Sequence, residues 1–402
     1  MEPEKKTHEL TSCCSSTDTA CTGNNLQTCF PVQQNAAENE ACCGPPAGPA
    51  SSPDERPGFE LCHFVTSFVD SPAGRIPIVE NTLNRMDRLG ALKVRLGIGR
   101  NRYKVSPGLY GVGSPDAESP VLVAANYKLS FDVLRASLKG MNAWVLVLDT
   151  RGINVWCAAG KKTFSTEEVV RRVEQCALHR IVDHRKLILP QLSATGVSGR
   201  QVKKRCGFDA IWGPVHAADL KPFIENGLKA DPSMRQVTFS LKERMVLIPV
   251  ELTALQKYLL WILPVLFMLS GIGAHIFSFS QAWQRGLMVL AATAAGVLSG
   301  TVAVPLLLPW LPGSAFSVKG TVAGVVAGTA IAVIFRHSNG LLDAASLVLL
   351  TIAVSSFLAM NFTGATPFTC PSGVEKEMRA AIPIQVGAVF TSLALWIASP
   401  FL

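Results

Sequence analysis

Hydrophobic and polar positions change rhythm twice along this chain. Residues 1 to 58 show little apolar periodicity and are rich in Ser, Thr, Asn, Pro and Gly, which predicts a disordered tail. From 59 to 252 short apolar runs alternate with amphipathic segments, the pattern of an α/β domain. The runs Val121–Asn126, Ala143–Asp149, Leu187–Pro190, Ala210–Gly213 and Met245–Val250 predict strands. Thr166 to about His184 predicts a helix. Ser165 and Glu168 have the spacing of a capping box, and Val169, Val170, Val173, Cys176, Ala177 and Ile181 share one face. A doubly wound, mostly parallel sheet is the most economical arrangement of these elements.

The third rhythm is continuous apolarity. Five stretches, Tyr258–Phe277, Gly286–Leu308, Gly320–Phe335, Leu341–Met360 and Ile382–Leu402, are long enough, or nearly so, to cross a bilayer. Gly320, Gly324 and Gly328 recur every four residues, which allows close packing of helices.

Composition sharpens the division. Hydrophobic residues make up 49% of the 402, and mean hydropathy is +0.30, too apolar for an ordinary soluble protein. Only nine of the 66 charged residues lie from Lys257 onward, so the chain splits into a polar half and a membrane half. With the α/β half inside, the inner connections carry Lys319, Lys376 and Arg379, with Lys257 before the first span; the outer ones carry Arg285 and Arg336. That bias predicts a multi-pass protein of the cytoplasmic membrane with its α/β domain facing the cytoplasm. The net charge of +8 fits basic residues beside anionic lipid. Nucleic-acid binding would need a basic patch with stacking aromatics, and none is evident.

Eleven cysteines without a secretory signal point to a reducing compartment, since Met1 to Leu10 is polar. Six of them, Cys13, Cys14, Cys21, Cys29, Cys42 and Cys43, lie in the tail, and no Cys-x-x-Cys occurs. The pairs Cys13–Cys14 and Cys42–Cys43 suit capture of a soft metal ion; the alternative is a mobile tail with incidental thiols.

The most informative stretch is Gly152 to Lys161, which carries Cys157 among small residues just after a buried-looking strand. Carboxyl ends of strands are where α/β sheets hold ligands. Most cysteines of this kind are small buried hydrophobes. Here the Gly-rich turn and Lys161 imply an accessible, electropositive place that favours thiolate, a strong ligand for a soft or borderline metal. The histidine-ligated cobalamin pattern Asp-x-His-x-x-Gly is absent, and His179 and His184 read as surface residues. A second loop, Leu189–Gly196, offers Ser193, Thr195 and Gly196 to a cofactor tail. A third, Ser106–Gly113, with Gly108, Tyr110 and Gly113, either lines the same pocket or is an ordinary turn. The segment Met360–Arg379 is dense in hydroxyls and glycines and longer than a link between two spans requires, so it is expected to meet the α/β domain.

Residues Asn154–Lys161 resemble the cap-helix signature of the membrane-bound corrinoid protein of microbial mercury methylation. Asn361–Met378 resembles segments shared by that family and the large subunit of the corrinoid iron–sulfur protein of acetyl-CoA synthesis. The resemblance implies a Rossmann-like corrinoid-binding α/β domain over 59–252, then a five-helix all-α transmembrane domain over 257–402. It implies a cobalamin-type corrinoid with Cys157 as the lower axial ligand of cobalt. Asn154, Val155, Trp156, Ala158, Ala159, Gly160 and Lys161 would cover the ring; Ser193, Thr195 and the glycine turns are candidate contacts. The implied reaction is methyl transfer to inorganic Hg(II), forming methylmercury. That acceptor calls for a methyl group bearing the bonding electrons, and a thiolate below cobalt favours such a departure by stabilising Co(III). Re-reduction then needs a partner, because this chain has no iron–sulfur spacing. The resemblance implies a ferredoxin-like donor with 4Fe–4S clusters, and the methyl group would come from a methyl-tetrahydrofolate-linked methyltransferase. The alternative is a corrinoid methyl carrier of one-carbon or acetyl-CoA metabolism, which needs no thiolate. A third reading is a non-catalytic membrane protein with a metal-trapping tail. Two features depart from the soluble relative, whose cluster motif and barrel domain this chain lacks. The tail matches no family motif.

Overall fold

The computed structural model describes residues 47–402 apart from 53–54, 59–60, 275, 339 and 367–370. The six tail cysteines and Cys370 lie outside the described residues.

The α/β half begins with a hairpin, β1 (Val65–Ser71) and β2 (Gly74–Val79). Helix α1 (Arg85–Arg95) follows. Its N-terminus is closed by a reciprocal capping box between Asn84 and Asp87. Then come β3 (Gly108–Val112), β4 (Val121–Ala125), α2 (Lys128–Ser137), β5 (Ala143–Leu148), α3 (Val155–Gly160), α4 (Thr166–Gln175), β6 (Lys186–Leu189), α5 (Gly199–Cys206), β7 (Asp209–Trp212) and α6 (Leu220–Glu225). The seven strands form one mixed sheet in the order β1-β2-β3-β5-β4-β6-β7. The strands β5, β4, β6 and β7 are mutually parallel, as the apolar runs predict, while β3 pairs antiparallel with β5. Both faces of the central strands are covered, so β3, β4 and β5 are buried along their whole length. Val121, Val123, Leu146 and Leu148 pack with α4 and α5 on one face. Leu122, Ala124, Val145 and Val147 pack with α2 and α6 on the other.

A buried ionic knot ties α1 to α2. Asp87 accepts from Lys128 and His63 at 2.7 Å each and lies 2.7 Å from Arg135, which also binds Asp132. Burial alone would raise the Asp87 carboxyl. The hydrogen bonds from Lys128, His63 and Arg135 outweigh it and hold the group far below the usual carboxylate range.

The second half consists of α7 (Leu241–Leu269), α8 (Phe279–Leu298), α9 (Val304–Leu307), α10 (Phe316–Ile334), α11 (Leu341–Asn361) and α12 (Pro371–Ala398). A π-helical turn, Ser299–Ala303, joins α8 to α9. Among the described residues five helical segments are long and apolar enough to cross a membrane. The glycines of α10 perform the packing that their spacing predicts. A Cβ on Gly324 would lie 2.8 Å from the Ile352 Cα, and one on Gly328 3.0 Å from the Val348 Cα. The hydroxyls of Ser355 and Ser356 donate to the carbonyls of Gly320 and Ser317.

Several expectations need correcting. Met245–Val250 is not a strand; it lies inside α7, whose capping box Ser240/Glu243 starts the helix sixteen residues before the predicted boundary at 257. The expected end of the α/β domain at 252 therefore falls within a helix. The helix from Thr166 stops at Gln175, because Ala177 adopts left-handed φ, and a 3-10 turn Leu178–Arg180 follows. The hairpin β1–β2 was not anticipated, and Ser106–Gly113 is largely strand β3. The long polar connection after Met360 is short. A 3-10 turn covers Phe362–Ala365 and α12 already begins at Pro371. Lys319 and Arg285 are not loop residues but buried positions of α10 and α8.

Candidate functional site

The sheet sets up a ligand site by its connections. Strand β4 leads into α2 on one face, whereas its neighbours β5 and β6 lead into α3–α4 and α5 on the other. Loops that diverge in this way leave a crevice at the carboxyl ends of the strands. A cleft of about 460 Å³ opens there. Its walls are Ala125 of β4, Val133 and Leu134 of α2, Pro190 and Leu192 after β6, and Val215 and Leu220 beyond β7. Asn154, Val155 and Trp156 of the α3 segment close one side, with Tyr127 and His216 as polar groups.

The segment carrying Cys157 is held from below by a buried side chain, Asn126, at the end of β4. Its Oδ1 accepts from the Thr150 and Gly152 backbone N–H groups and from the Thr150 hydroxyl, at 2.9–3.0 Å. Its amide donates to Asp149 at 3.0 Å. Burial would raise the Asp149 carboxyl, but the N–H groups of Ser51 and Arg151 hold it below its usual value. Arg151 and Gly152 both take left-handed φ, which turns the chain sharply away from β5. Asn154 then caps α3, accepting from the Cys157 N–H at 2.9 Å. Ala158 and Ala159 are buried beneath the helix, Trp156 is exposed, and Gly160 and Lys161 finish it.

Cys157 is half-buried. It packs against the core cluster shared with α4 and is not one of the cleft-lining residues. Tyr127, which lines the cleft, has its hydroxyl pKa raised above the ordinary value, chiefly by burial.

The other sequence candidates divide. Ser193 is fully buried and donates its hydroxyl to the Pro190 carbonyl. Thr195 is exposed on the same turn. Gly196 has a packing role, since a Cβ there would strike the Phe164 carbonyl and lie 3.0 Å from the Ala159 Cα. The 189–196 loop thus supports α3. Tyr110 is part of the core on the α2 face, donating to the Ser106 carbonyl, and Gly113 lies beside Asn142 at the amino end of β5. Gly108 lines a different cavity of about 950 Å³. That space is larger but is ringed by charges such as Asp149, Lys162, Glu168, Arg171 and Arg172. Its lining suits polar ligands, whereas the apolar cleft suits a flat hydrophobic ring.

Sequence reading missed Asn126, Tyr127 and His216. Asn126 ends an apolar run and reads as a strand terminus. His216 follows Gly213-Pro214 in what reads as an ordinary turn. Thr238 lies 3.2 Å from His216 and bonds Glu243, while the neighbouring Phe239 ring packs on Phe362. The motif after Met360 therefore reaches the cleft wall indirectly, through the linker before α7.

All the cleft elements up to Ala218 fall within one region of similarity. Residues 80–218 match the family model CdhD, CO dehydrogenase/acetyl-CoA synthase delta subunit. The chain has homologues among acetyl-CoA decarbonylase/synthase gamma subunits. That of Methanopyrus kandleri is 34% identical over 128 residues, covering 31% of this chain and 27% of the relative. Those of Archaeoglobus fulgidus and Methanocaldococcus jannaschii are 27% and 29% identical over 128 and 129 residues, covering 27% and 26% of those proteins. The chain thus spans about a quarter of the length of these relatives, and the family-model match ends before the long apolar helices.

Proposed function

We propose that this chain is a membrane-anchored corrinoid methyltransferase, with the corrinoid held in the cleft between α2, α3 and the β6 and β7 loops. The observation that carries the reading is the crevice itself: an apolar, open slot at the switch point, edged by a rigidly capped helix that bears a thiol. The residues fit such a group. Val133, Leu134, Leu192 and Leu220 offer flat apolar contact, and Trp156 is exposed at the edge. When bound, the corrinoid supplies a methyl group on cobalt. Asn126 and Asn154 fix the backbone that edges the cleft, and Tyr127 and His216 would be the hydrogen-bonding groups of its wall.

Two acceptors follow from two observations. The gamma-subunit relatives support a methyl carrier of one-carbon and acetyl-CoA metabolism. A second reading, transfer to inorganic Hg(II), would use the thiol of Cys157 on the helix that edges the cleft. A thiolate on the cap helix is a soft, electron-rich donor for cobalt, which a carrier of methyl cations does not need. In either reading α7 to α12 anchor the protein in the cytoplasmic membrane with the cleft on the cytoplasmic side. A 4Fe–4S ferredoxin-like protein supplies electrons and a methyl-tetrahydrofolate-linked methyltransferase supplies methyl groups.

Cys157→Ala separates the readings. For Hg(II) transfer, the full-length variant keeps bound corrinoid but loses methylmercury formation at least a hundredfold, with a shifted cobalt absorption spectrum. Unchanged methylmercury formation and an unchanged spectrum exclude the thiol ligand. Retained methyl exchange with methyl-tetrahydrofolate, with no methylmercury from the wild type, identifies the carrier. Absence of corrinoid from the purified wild-type protein after reconstitution rejects both.

A further inference from the structure

Helix α1 carries a feature that neither the cleft nor the fold requires. Its inner face, Asp87 and Val94, is buried. Its outer face is apolar: Met86, Leu89 and Leu92 are 64%, 57% and 54% exposed, and Ile98 just beyond the helix is 61% exposed. Leu96 extends the same stripe. A solvent-facing helix places polar residues in such positions, and a contiguous apolar strip marks a surface that is covered in use.

The charges around the strip have one sign. Arg85, Arg88, Lys93, Arg95 and Arg102 are exposed, and the only carboxylate between Asn81 and Lys104 is the buried Asp87. Cations interleaved with leucines lie flat on anionic lipid, with stems in the acyl boundary and heads at the phosphates. The position of the helix points the same way. Its C-terminal end abuts the first long apolar helix: a Cβ on Gly97 would lie 3.0 Å from the Thr253 hydroxyl of α7.

We propose that α1 is a monotopic membrane-docking helix. It rests its Met86–Ile98 face on the anionic headgroup layer of the bilayer that α7 enters, and so fixes the α/β domain against the membrane. The inference rests on reading α7 to α12 as membrane spans.

The test uses the full chain in nanodiscs of phosphatidylglycerol and phosphatidylcholine, with p-benzoylphenylalanine placed singly at Leu89, at Trp261 of α7 and at Lys221 of α6. After irradiation, lipid adducts are expected at Leu89 and Trp261 but not at Lys221. Lipid at Trp261 alone overturns the docking while the membrane reading stands. Lipid at none of the three overturns both. Lipid at all three, or a protein crosslink at Leu89 to a second copy or another subunit, also overturns the docking. A second variant, Arg88→Glu with Lys93→Glu, is expected to lower the Leu89 lipid yield severalfold in these discs and little in pure phosphatidylcholine. An equal yield in both removes the anionic component of the proposal.

Discussion

At the scale of single residues, Asn126 organises the segment that edges the cleft. Its carboxamide oxygen serves three donors of the turn Thr150–Gly152, and its nitrogen holds Asp149. Truncation strands the buried Gly152 N–H, at about 1–3 kcal/mol, while the Thr150 N–H keeps the Leu148 carbonyl at 3.1 Å. The Asn126→Ala chain is therefore expected to fold with a loosened cap segment. Hydrogen exchange of residues 149–157 should quicken, and corrinoid affinity should fall at least tenfold, with the long helices unaffected. Unchanged exchange there would remove Asn126 from the site. The sequence draws attention to Asn154 and Cys157 through one short motif, but that Asn154 caps α3 is read only from the structure. Asn126 stays invisible there because its three acceptor contacts span 24–26 residues, a separation that no periodicity reports.

At the scale of elements, short helices are kept in place by what touches them. Helix α3 has only six residues and gains little stability by itself. It rests on the turn after β6, where Gly196 approaches Ala159 and the Phe164 carbonyl closely enough to exclude any side chain. Gly196→Val is expected to push α3 outward. Titration of the full chain with cobalamin should show corrinoid affinity falling more than tenfold, while far-ultraviolet circular dichroism stays native. Wild-type affinity would mean that the turn does not position the cap. The central parallel strands were legible as apolar runs because burial on both faces leaves little alternation. Met245–Val250 was misread for the same reason, since a buried strand and part of an apolar helix look alike over six residues. The deciding signal, Ser240 with Glu243 three residues on, lay upstream of the run. Strands β1 and β2 alternate poorly and carry exposed polar residues, so the edge of the sheet gave little sign of itself.

At the scale of the whole molecule, two polar anchors hold the apolar bundle, one at each end of the second long apolar segment, Phe279–Leu307. At one end Arg244 of α7 donates to the carbonyls of Pro305 and Leu306 at the end of α9, where Pro309 has no N–H to offer the Pro305 carbonyl. At the other, Arg285 of α8 pairs with Asp343 of α11 at 2.9 Å, stacks 4.2 Å from the Trp396 ring and bonds the Trp396 carbonyl of α12. Trp396 in turn donates to Ser270 at the end of α7. The Arg285–Asp343 pair gathers four helices and takes no part in lining the cleft, so its role is assembly, and its energetics follow from desolvation. Removing one partner leaves a buried charge uncompensated, at about 3–5 kcal/mol, whereas replacing both by apolar residues of similar size is close to neutral. Asp343→Asn is therefore expected to lower the melting temperature of the detergent-solubilised chain markedly. Arg285→Met combined with Asp343→Leu should recover most of the loss, and neither should alter corrinoid binding. Greater destabilisation by the double replacement than by the single one would show that the pair is needed as a pair, which would make the charges themselves part of what the apolar half does.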